Sequence, residues 1–332
     1  FALDPTPGRG HLRPPMRIFR HLGDLPATLQ GAVVAIGNFD GIHRGHQAVI
    51  AEAGQLAHAH GRPWAALTFE PHPRNLFRPG DPPFRLTLLR AKARSVADIG
   101  VDFLVALRFD RAFASLSADE FIRRVLVDGF RAGHVIAGYD FVFGKGRAGN
   151  CELLLQAGRA LGFDVTAVHA VRDKAGEVLS SSRARDALRR GDVAAAAAIL
   201  GRAPEIEGRV MRGLARGRTL GFPTANISLR DHLRPAGGVY AVRAAIEGES
   251  MVEGNPLWRD GVANIGRRPT FGGDIEVLEV FLFDFAGDLY GRRLRVRLIE
   301  HLRRERTFDG IDSLRAQIAE DSLRARRILA AS

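Results

Sequence analysis

The sequence has one cysteine and only three lysines in 332 residues. The single Cys151 cannot form a disulfide within the chain, and such sparse use of cysteine is typical of a reducing compartment. No apolar run approaches the roughly 18 residues that a membrane-spanning helix needs, and residues 1–15 lack the apolar segment of a secretory signal. These absences predict a cytoplasmic protein without a membrane span.

Acidic residues are too few to balance the basic ones, and the formal net charge is +11. Nearly all of the 48 basic residues are arginine, and they are scattered among acidic residues rather than gathered into one stretch. This distribution does not predict a nucleic-acid-binding face. We expect instead that the charge raises the local concentration of small anionic substrates.

The segment IGNFDGIHRGHQ, residues 36–47, combines glycines, an aspartate and two histidines. It joins a predicted strand, 32–36, to a predicted helix that runs from about 45 to 60. The N-terminus of a helix attracts anions, and glycine lets a backbone approach a phosphate closely. The pattern predicts a phosphate-binding turn in which His43 and His46 add hydrogen-bond donors. Its other members are Gly37, Asn38, Phe39, Asp40, Gly41 and Gly45.

Strands alternate with helices through the first half of the chain. The predicted strands are 32–36, 64–69, 103–107, 134–138 and 164–171. Five strands interleaved with helices predict a doubly wound parallel α/β sheet, in which ligands lie beyond the carboxyl ends of the strands. Ser117 and Glu120 have the spacing of a capping box and predict a helix start. The Ala-rich segment 187–200 is predicted to be one helix.

Beyond residue 205 the apolar period changes from that of helices to that of strands. The predicted strands are 206–213, 238–248, 276–285 and 292–302, followed by a helix at roughly 311–329. Several short strands with Gly-rich turns predict a small closed antiparallel β-barrel. The segment GRTLGFPTAN, residues 217–226, offers Gly217 and Gly221 in a loop over phosphates, and Thr224 and Asn226 as neutral oxygen ligands for Mg²⁺.

These motifs together resemble those of the bacterial bifunctional riboflavin kinase/FAD synthetases. Residues 36–47 are similar to the G-x-F-D-G-x-H-x-G-H signature of the adenylyltransferase half, a branch of the HxGH nucleotidyltransferases, and residues 217–226 resemble the riboflavin kinase signature. The resemblance covers about residues 16–329 and includes TFEPHP, GYDFVFGKGRAGN, SSSRAR and GVANIGRRPTF. It implies a nucleotidyltransferase domain at 16–190, a linker at 191–204 and a riboflavin kinase domain at 205–330.

The resemblance also implies two reactions and their residues. The C-terminal domain would phosphorylate riboflavin to FMN with ATP and Mg²⁺, and the N-terminal domain would adenylylate FMN to FAD. Phosphates would be held by the histidine turn together with Ser181, Ser182 and Arg185, and the flavin would lie against Asp140, Phe141, Phe143 and Phe222. Glu279 matches the general base that activates the ribityl hydroxyl. One departure is Ala184, where the family usually has isoleucine.

Several alternatives stay open at this point. The first domain is also compatible with an HxGH nucleotidyltransferase for another phosphorylated acceptor. The basic composition of the chain and its strand pattern are compatible with a non-enzymatic nucleic-acid-binding barrel fused to a nucleotide-binding domain. Glu279 is equally compatible with an outward-facing strand residue, and if it is only that, without a catalytic role, the base is sought at Asp284 or Asp288. The oligomeric state, monomer or weak homo-oligomer, is not determined. Met16 is expected to be the native initiator, because residues 1–15 are rich in proline and lack an apolar period.

Overall fold

The structure is a computed structural model that describes residues 16–211, 222, 224–249, 255–270 and 273–332. The side chains of 268–270 and 273–275 are not part of this description. The predictions for residues 1–15, Gly217 and Gly221 therefore lie outside the described residues.

The first half contains a parallel sheet with strand order β1-β4-β3-β2-β5-β6. Its strands are β1 (Arg17–Phe19), β2 (Val33–Ile36), β3 (Trp64–Glu70), β4 (Phe103–Arg108), β5 (His134–Gly138) and β6 (Asp164–Val168). The central strands are continuous apolar runs because helices cover both faces of the sheet. The doubly wound fold is confirmed, with one strand more than predicted. The missed strand, β1, is a three-residue edge strand with only Phe19 buried.

Helices follow the strands as predicted. They are α1 (Arg44–Ala59), α2 (Pro73–Phe77), α3 (Leu89–Ile99), α4 (Arg111–Ala114), α5 (Ala118–Phe121), α6 (Cys151–Leu161), α7 (Ser181–Arg189) and α8 (Val193–Leu200). The capping box is confirmed: Oγ of Ser117 accepts from the N–H of Glu120 at 3.1 Å, and the Glu120 carboxylate accepts from the N–H of Ser117 at 2.9 Å. Helix α5 continues as a π-helix over Ile122–Gly129.

The prediction of one helix over 187–200 is wrong. Gly191 adopts a left-handed φ of 79° and separates α7 from α8. The side chain of Asp192 then caps α8 by accepting a hydrogen bond from the N–H of Ala195 at 2.9 Å. The Ala-rich composition concealed this break, because a single Gly-Asp pair inside a helical pattern is compatible with continuation.

The second half is a closed barrel with strand order β10-β11-β8-β7-β12-β9. Its strands are β7 (Glu205–Met211), β8 (Ala225–Ser228), β9 (Gly238–Ile246), β10 (Trp258–Thr270), β11 (Gly273–Leu282) and β12 (Arg293–Arg303). All neighbours are antiparallel, as predicted, but β8 and β10 were not among the four predicted strands. Helix α9 (Ile311–Ala330) packs on the outside of the barrel through Ala325 and Leu329.

One apolar core continues from the helices of the first half into the barrel. Leu188 of α7 and Leu200 of α8 belong to the same buried cluster as Leu278 and Leu298 of the barrel interior. Helix α8 contacts both α7 and β12. Segment 191–204 therefore joins the two halves through buried contacts. In the parts of the chain that the structure describes, no helix has the length and apolarity to cross a membrane.

Candidate active sites

Asp40 is the anchor of the turn between β2 and α1. It is only 1% exposed, and its carboxylate accepts hydrogen bonds from the N–H groups of Leu86 and Thr87, both at 3.0 Å, and from Nη2 of Arg185 at 2.7 Å. Burial opposes its charge, but the guanidinium groups of Arg185 and Arg85 hold the pKa of Asp40 below its usual value. Asp40 is therefore ionised and fixes the turn against residues 85–87.

Lys92 holds the same turn from the sheet side. Its side chain is fully buried, and Nζ donates to the carbonyl of Asn38 at 2.8 Å, to Oγ1 of Thr68 at 3.0 Å and to Glu70 at 3.0 Å. Burial lowers the pKa of Lys92, while the Glu70 carboxylate supports its charge. Arg85 also binds Glu70, through two hydrogen bonds of 2.6 and 3.1 Å. A buried ion network thus lies beneath the turn.

Sequence reasoning missed this network. Glu70, Arg85 and Lys92 were not proposed for the site. A signal existed, since Lys92 is one of only three lysines in the chain and lies in α3 between two buried alanines. A lysine on an apolar helix face is costly to bury without a partner.

His43 and His46 lie against each other at the start of α1. Nδ1 of His43 accepts from the N–H groups of Gly45 and His46 at 3.1 and 3.3 Å, so the neutral ring carries its proton on Nε2. Burial and the charge of Arg185 lower the pKa of His43 to about 4. The two imidazoles stack with centroids 3.7 Å apart, and Phe39 contacts His46 edge-on. Both rings are held as neutral groups, since burial also lowers the pKa of His46.

The glycines of the turn make room for its own side chains. A Cβ on Gly37 would lie 2.8 Å from the ring of Phe39, and one on Gly45 would lie 2.9 Å from the ring of His43. Gly41 has a φ of 81°, which L side chains rarely adopt. The contacts that require glycine are therefore to Phe39, His43 and Leu86, and the approach to phosphate stays a prediction.

Helix α7 brings two of its three predicted residues to the turn. Oγ of Ser181 donates to the carbonyl of Asp40 at 2.9 Å, and Arg185 binds both the Asp40 carboxylate and the carbonyl of Phe84. Ser182 is exposed, and the N-cap of α7 is Ser180. Ala184 is fully buried in the core that connects the two halves.

The aromatic loop after β5 divides between core and surface. Phe143 is buried, contacts Phe121 with centroids 5.1 Å apart, and stacks on Phe141 at 5.5 Å with an interplanar angle of 20°. Phe141 is partly exposed, and Asp140 is exposed. Of the two phenylalanines, Phe141 therefore presents the more accessible ring at this end of the sheet.

In the barrel, three polar side chains form a row across adjacent strands. Glu279 of β11 is directly opposite Asn226 of β8 and Asn264 of β10, so their side chains share one face. The flanking Leu278 and Val280 belong to the barrel interior. The row therefore lies on the outer face. Asn264 is a neighbour that was not proposed from the sequence, because no strand was predicted at β10.

Asn226 combines burial with an unused acceptor. It is 5% exposed, its Nδ2 donates to the carbonyl of Thr224 at 3.5 Å, and its Oδ1 has no hydrogen-bond partner among the described residues. A buried neutral oxygen without a donor suits a hard cation such as Mg²⁺. Phe222 contacts Phe281 edge-on at 5.2 Å, two residues beyond Glu279 on β11.

A parallel sheet with an anion-attracting HxGH turn, joined to a closed barrel with a carboxylate–amide row, defines a two-site enzyme that transfers groups from a nucleotide. Family models match both halves: "FAD synthetase" at residues 25–183 and "Riboflavin kinase" at residues 200–329.

Whole-chain relatives agree. The bifunctional riboflavin kinase/FMN adenylyltransferase of Escherichia coli K12 is 44% identical over 312 residues, 94% of this chain and 97% of that protein. Its Bacillus subtilis counterpart is 38% identical over 303 residues, 89% and 92% of the two chains. The crystal structure of a protein named macrolide-efflux protein, from Streptococcus pneumoniae, superposes with a TM-score of 0.80 at 31% identity and covers 94% of this chain and 99% of that one. The chain belongs to the bifunctional riboflavin kinase/FMN adenylyltransferase family.

Proposed function

We propose that each half of the chain carries one reaction of the family and that the residues described above perform them. The enzyme phosphorylates riboflavin to FMN with ATP and adenylylates FMN to FAD. We assign adenylylation to residues 16–190 and riboflavin phosphorylation to 205–330, joined by 191–204. We also assign the enzyme to the cytoplasm, with small molecules rather than nucleic acid or membranes as its partners.

The observation that carries the first assignment is the protonation of His43. Because Nδ1 accepts two N–H groups of the helix start, Nε2 is a donor. In adenylyl transfer an oxygen of the FMN phosphate attacks the α-phosphorus of ATP, the bond to the bridging oxygen breaks, and charge develops on the departing pyrophosphate. Preorganised neutral donors stabilise that charge without any side chain acting as a nucleophile. His46 adds a second ring stacked on the first.

Other residues of this half position the substrates. Arg185 keeps the Asp40 carboxylate in place and lies beside the phosphate path, while Ser182 is exposed at the start of α7 and is free to face the nucleotide. We place the flavin ring against Phe141, with Phe143 supporting it from the core, and Asp140 at its polar edge.

In the barrel we assign Glu279 as the base that takes the proton of the ribityl 5′-hydroxyl as its oxygen attacks the γ-phosphorus of ATP. The outer-face row places this carboxylate directly opposite Asn226. Asn226 Oδ1 and Thr224 fit a Mg²⁺ ion, which would neutralise charge on the ATP oxygens. Phe222 and Phe281 supply an apolar surface for the flavin next to the base.

The test separates the two half-reactions by chromatography of riboflavin, FMN and FAD. His46→Ala should lower FAD formation from FMN about a hundredfold and leave FMN formation unchanged. Glu279→Gln should lower FMN formation by about 10² to 10⁴ and leave FAD formation from supplied FMN unchanged. Equal loss of both products in either variant would contradict the assignment, and near-parental kinase activity of Glu279→Gln would move the base to another residue.

A further inference from the structure

Arg202 reaches the HxGH turn from outside the nucleotidyltransferase half. It lies between α8 and β7, within the part matched by the riboflavin kinase model. Its Nη2 donates to the carbonyl of Gly41 at 2.8 Å, and its Nη1 donates to the carbonyl of Ile42 at 3.0 Å. One guanidinium therefore holds two consecutive carbonyls of the turn, 161 and 160 positions away in the sequence.

Gln47 strengthens the same connection. Its Nε2 donates to the carbonyls of Ile42 and Leu200, both at 2.8 Å. Leu200 is the last residue of α8, and Arg202 also donates to its carbonyl at 3.4 Å. The turn, the first turn of α1 and the end of α8 thus share one set of hydrogen bonds.

The backbone held in this way is strained. Gly41 has a φ of 81°, and Ile42, a β-branched residue, has a φ of 42°. A left-handed conformation of a β-branched residue is costly and persists only where the surroundings impose it. Since Arg202 and Gln47 bind the carbonyls on either side of Ile42, they supply that constraint.

The direction of these carbonyls sets the direction of two donors. In a planar trans peptide the C=O and the following N–H point to opposite sides. With the carbonyls of Gly41 and Ile42 directed at Arg202, the N–H groups of Ile42 and His43 point away from it. Both precede α1, where backbone N–H groups and the helix dipole favour an anion.

We propose that Arg202 is a positioning residue for adenylyl transfer, which fixes the N–H groups of Ile42 and His43 and the ring of His43 from the linker segment 191–204. The proposal rests on the assignment of FMN adenylylation to this turn. It extends the adenylylation site into the linker, because the nucleotidyltransferase segment 16–190 contains neither Arg202 nor the end of α8.

The experiment compares Arg202→Ala and Arg202→Lys in the full chain, with Arg90→Ala as the matched control. Arg90 also joins the two halves, through an ion pair with Glu247, and this partner lies in the barrel half rather than in the turn. For each variant, kcat and the KM for ATP are measured for FAD formation from FMN, together with FMN formation from riboflavin and the melting temperature. His46→Ala is measured in parallel.

We expect Arg202→Ala to lower kcat for FAD formation about tenfold to a hundredfold, since small misplacements of reacting groups have effects of this size. Lysine, which can reach one carbonyl but lacks the two-pronged geometry, should restore part of the rate. FMN formation should be unchanged in both variants, and Arg90→Ala should match the parent in both reactions.

Three outcomes would overturn the proposal. Parental FAD formation by Arg202→Ala, while His46→Ala is impaired, would refute the role of Arg202 alone. An equal loss in Arg90→Ala would attribute the effect to general docking of the halves. A parallel loss of both activities with a large fall in melting temperature in both Arg202 variants would make the residue merely structural. Parental activity of His46→Ala would instead refute the underlying assignment of the site.

Discussion

Replacing Asp40 with asparagine tests the anchor of the nucleotide turn at constant size. The carboxylate accepts from the N–H groups of Leu86 and Thr87 and from Arg185, so each oxygen faces at least one donor. An amide in the same place directs its NH₂ group at two of those donors whichever way it is turned, either at the N–H groups of Leu86 and Thr87 or at the N–H of Leu86 and Arg185. The substitution therefore removes a charge and opposes two donors at a position that is 1% exposed.

The loss of folding stability in Asp40→Asn depends on the hydrogen bonds that Arg85 and Arg185 keep without the carboxylate. Breaking a buried ion pair by removing one partner costs about 3–5 kcal/mol. Arg85 keeps its two hydrogen bonds to Glu70, and Arg185 keeps the carbonyl of Phe84. We therefore expect a loss near the lower limit, about 3 kcal/mol, and a fall in melting temperature of about 6 °C or more.

Thermal melts at two pH values test whether Asp40 stays ionised between them. The pKa of Asp40 is lowered in the fold, so its stabilisation is present above its pKa in the unfolded chain, about 3.9, and is lost only as pH falls through the lower folded value. The gap between parent and Asp40→Asn should therefore be the same at pH 7.5 and 5.5. FAD formation should fall with it, while FMN formation persists.

Asp102→Asn provides the control. Asp102 is exposed at the opposite end of the sheet and accepts one hydrogen bond, from the N–H of Trp64, which an asparagine oxygen can also accept. It should change the melting temperature little. If Asp40→Asn melts like the parent, or if the gap already closes at pH 5.5, Asp40 is not an ionised anchor and the account of the turn is wrong.

Two further predictions concern the same half. Gly45→Ala places a Cβ 2.9 Å from the ring of His43, so the rate of FAD formation should fall about tenfold or more. The rate of FMN formation and its KM for riboflavin should be unchanged. An unaffected rate of FAD formation would show that the ring of His43 has room to move. His43 and His72 have pKa values lowered to about 4 by burial, so between about pH 6.5 and 4 the unfolded chain binds protons that the folded chain does not, and stability falls as pH falls through that window. Melting temperatures across the window should decline less in His72→Gln than in the parent, and an equal decline would exclude His72 as a contributor.

Local patterns predicted the parts of the fold that local chemistry determines. The capping box at Ser117 and the strand period of the predicted strand 292–302 each depend on residues a few positions apart, and each is confirmed. Both Asn226 and Glu279 were proposed from the sequence, but their pairing was not, because alternation along a strand gives the face of a residue and not its partner on the next strand. The register between β8 and β11 shows that the two residues are directly opposite each other.

The missed features depend on contacts between distant segments. Lys92 binds a carbonyl 54 positions away, and Arg202 binds one 161 positions away. No period or motif in the sequence encodes such pairs, and a buried arginine looks the same as the many arginines on the surface. Strand β1 was missed for a different reason: three residues at an edge carry too little pattern to distinguish them from a loop.

The two candidate sites differ in how far they depend on residues outside their own half of the chain. The carbonyls of the HxGH turn are held from helix α3 by Lys92 at Asn38, and from the linker by Arg202 at Gly41 and Ile42. The carboxylate–amide row of the barrel instead lies on the outer face, built from strands of the barrel itself. The conformation of Ile42 is held by Arg202 of the linker as well as by Gln47 of α1, whereas the register that aligns Glu279 depends only on strands of the barrel. Adenylylation should therefore depend on the linker 191–204 more strongly than phosphorylation depends on the nucleotidyltransferase half.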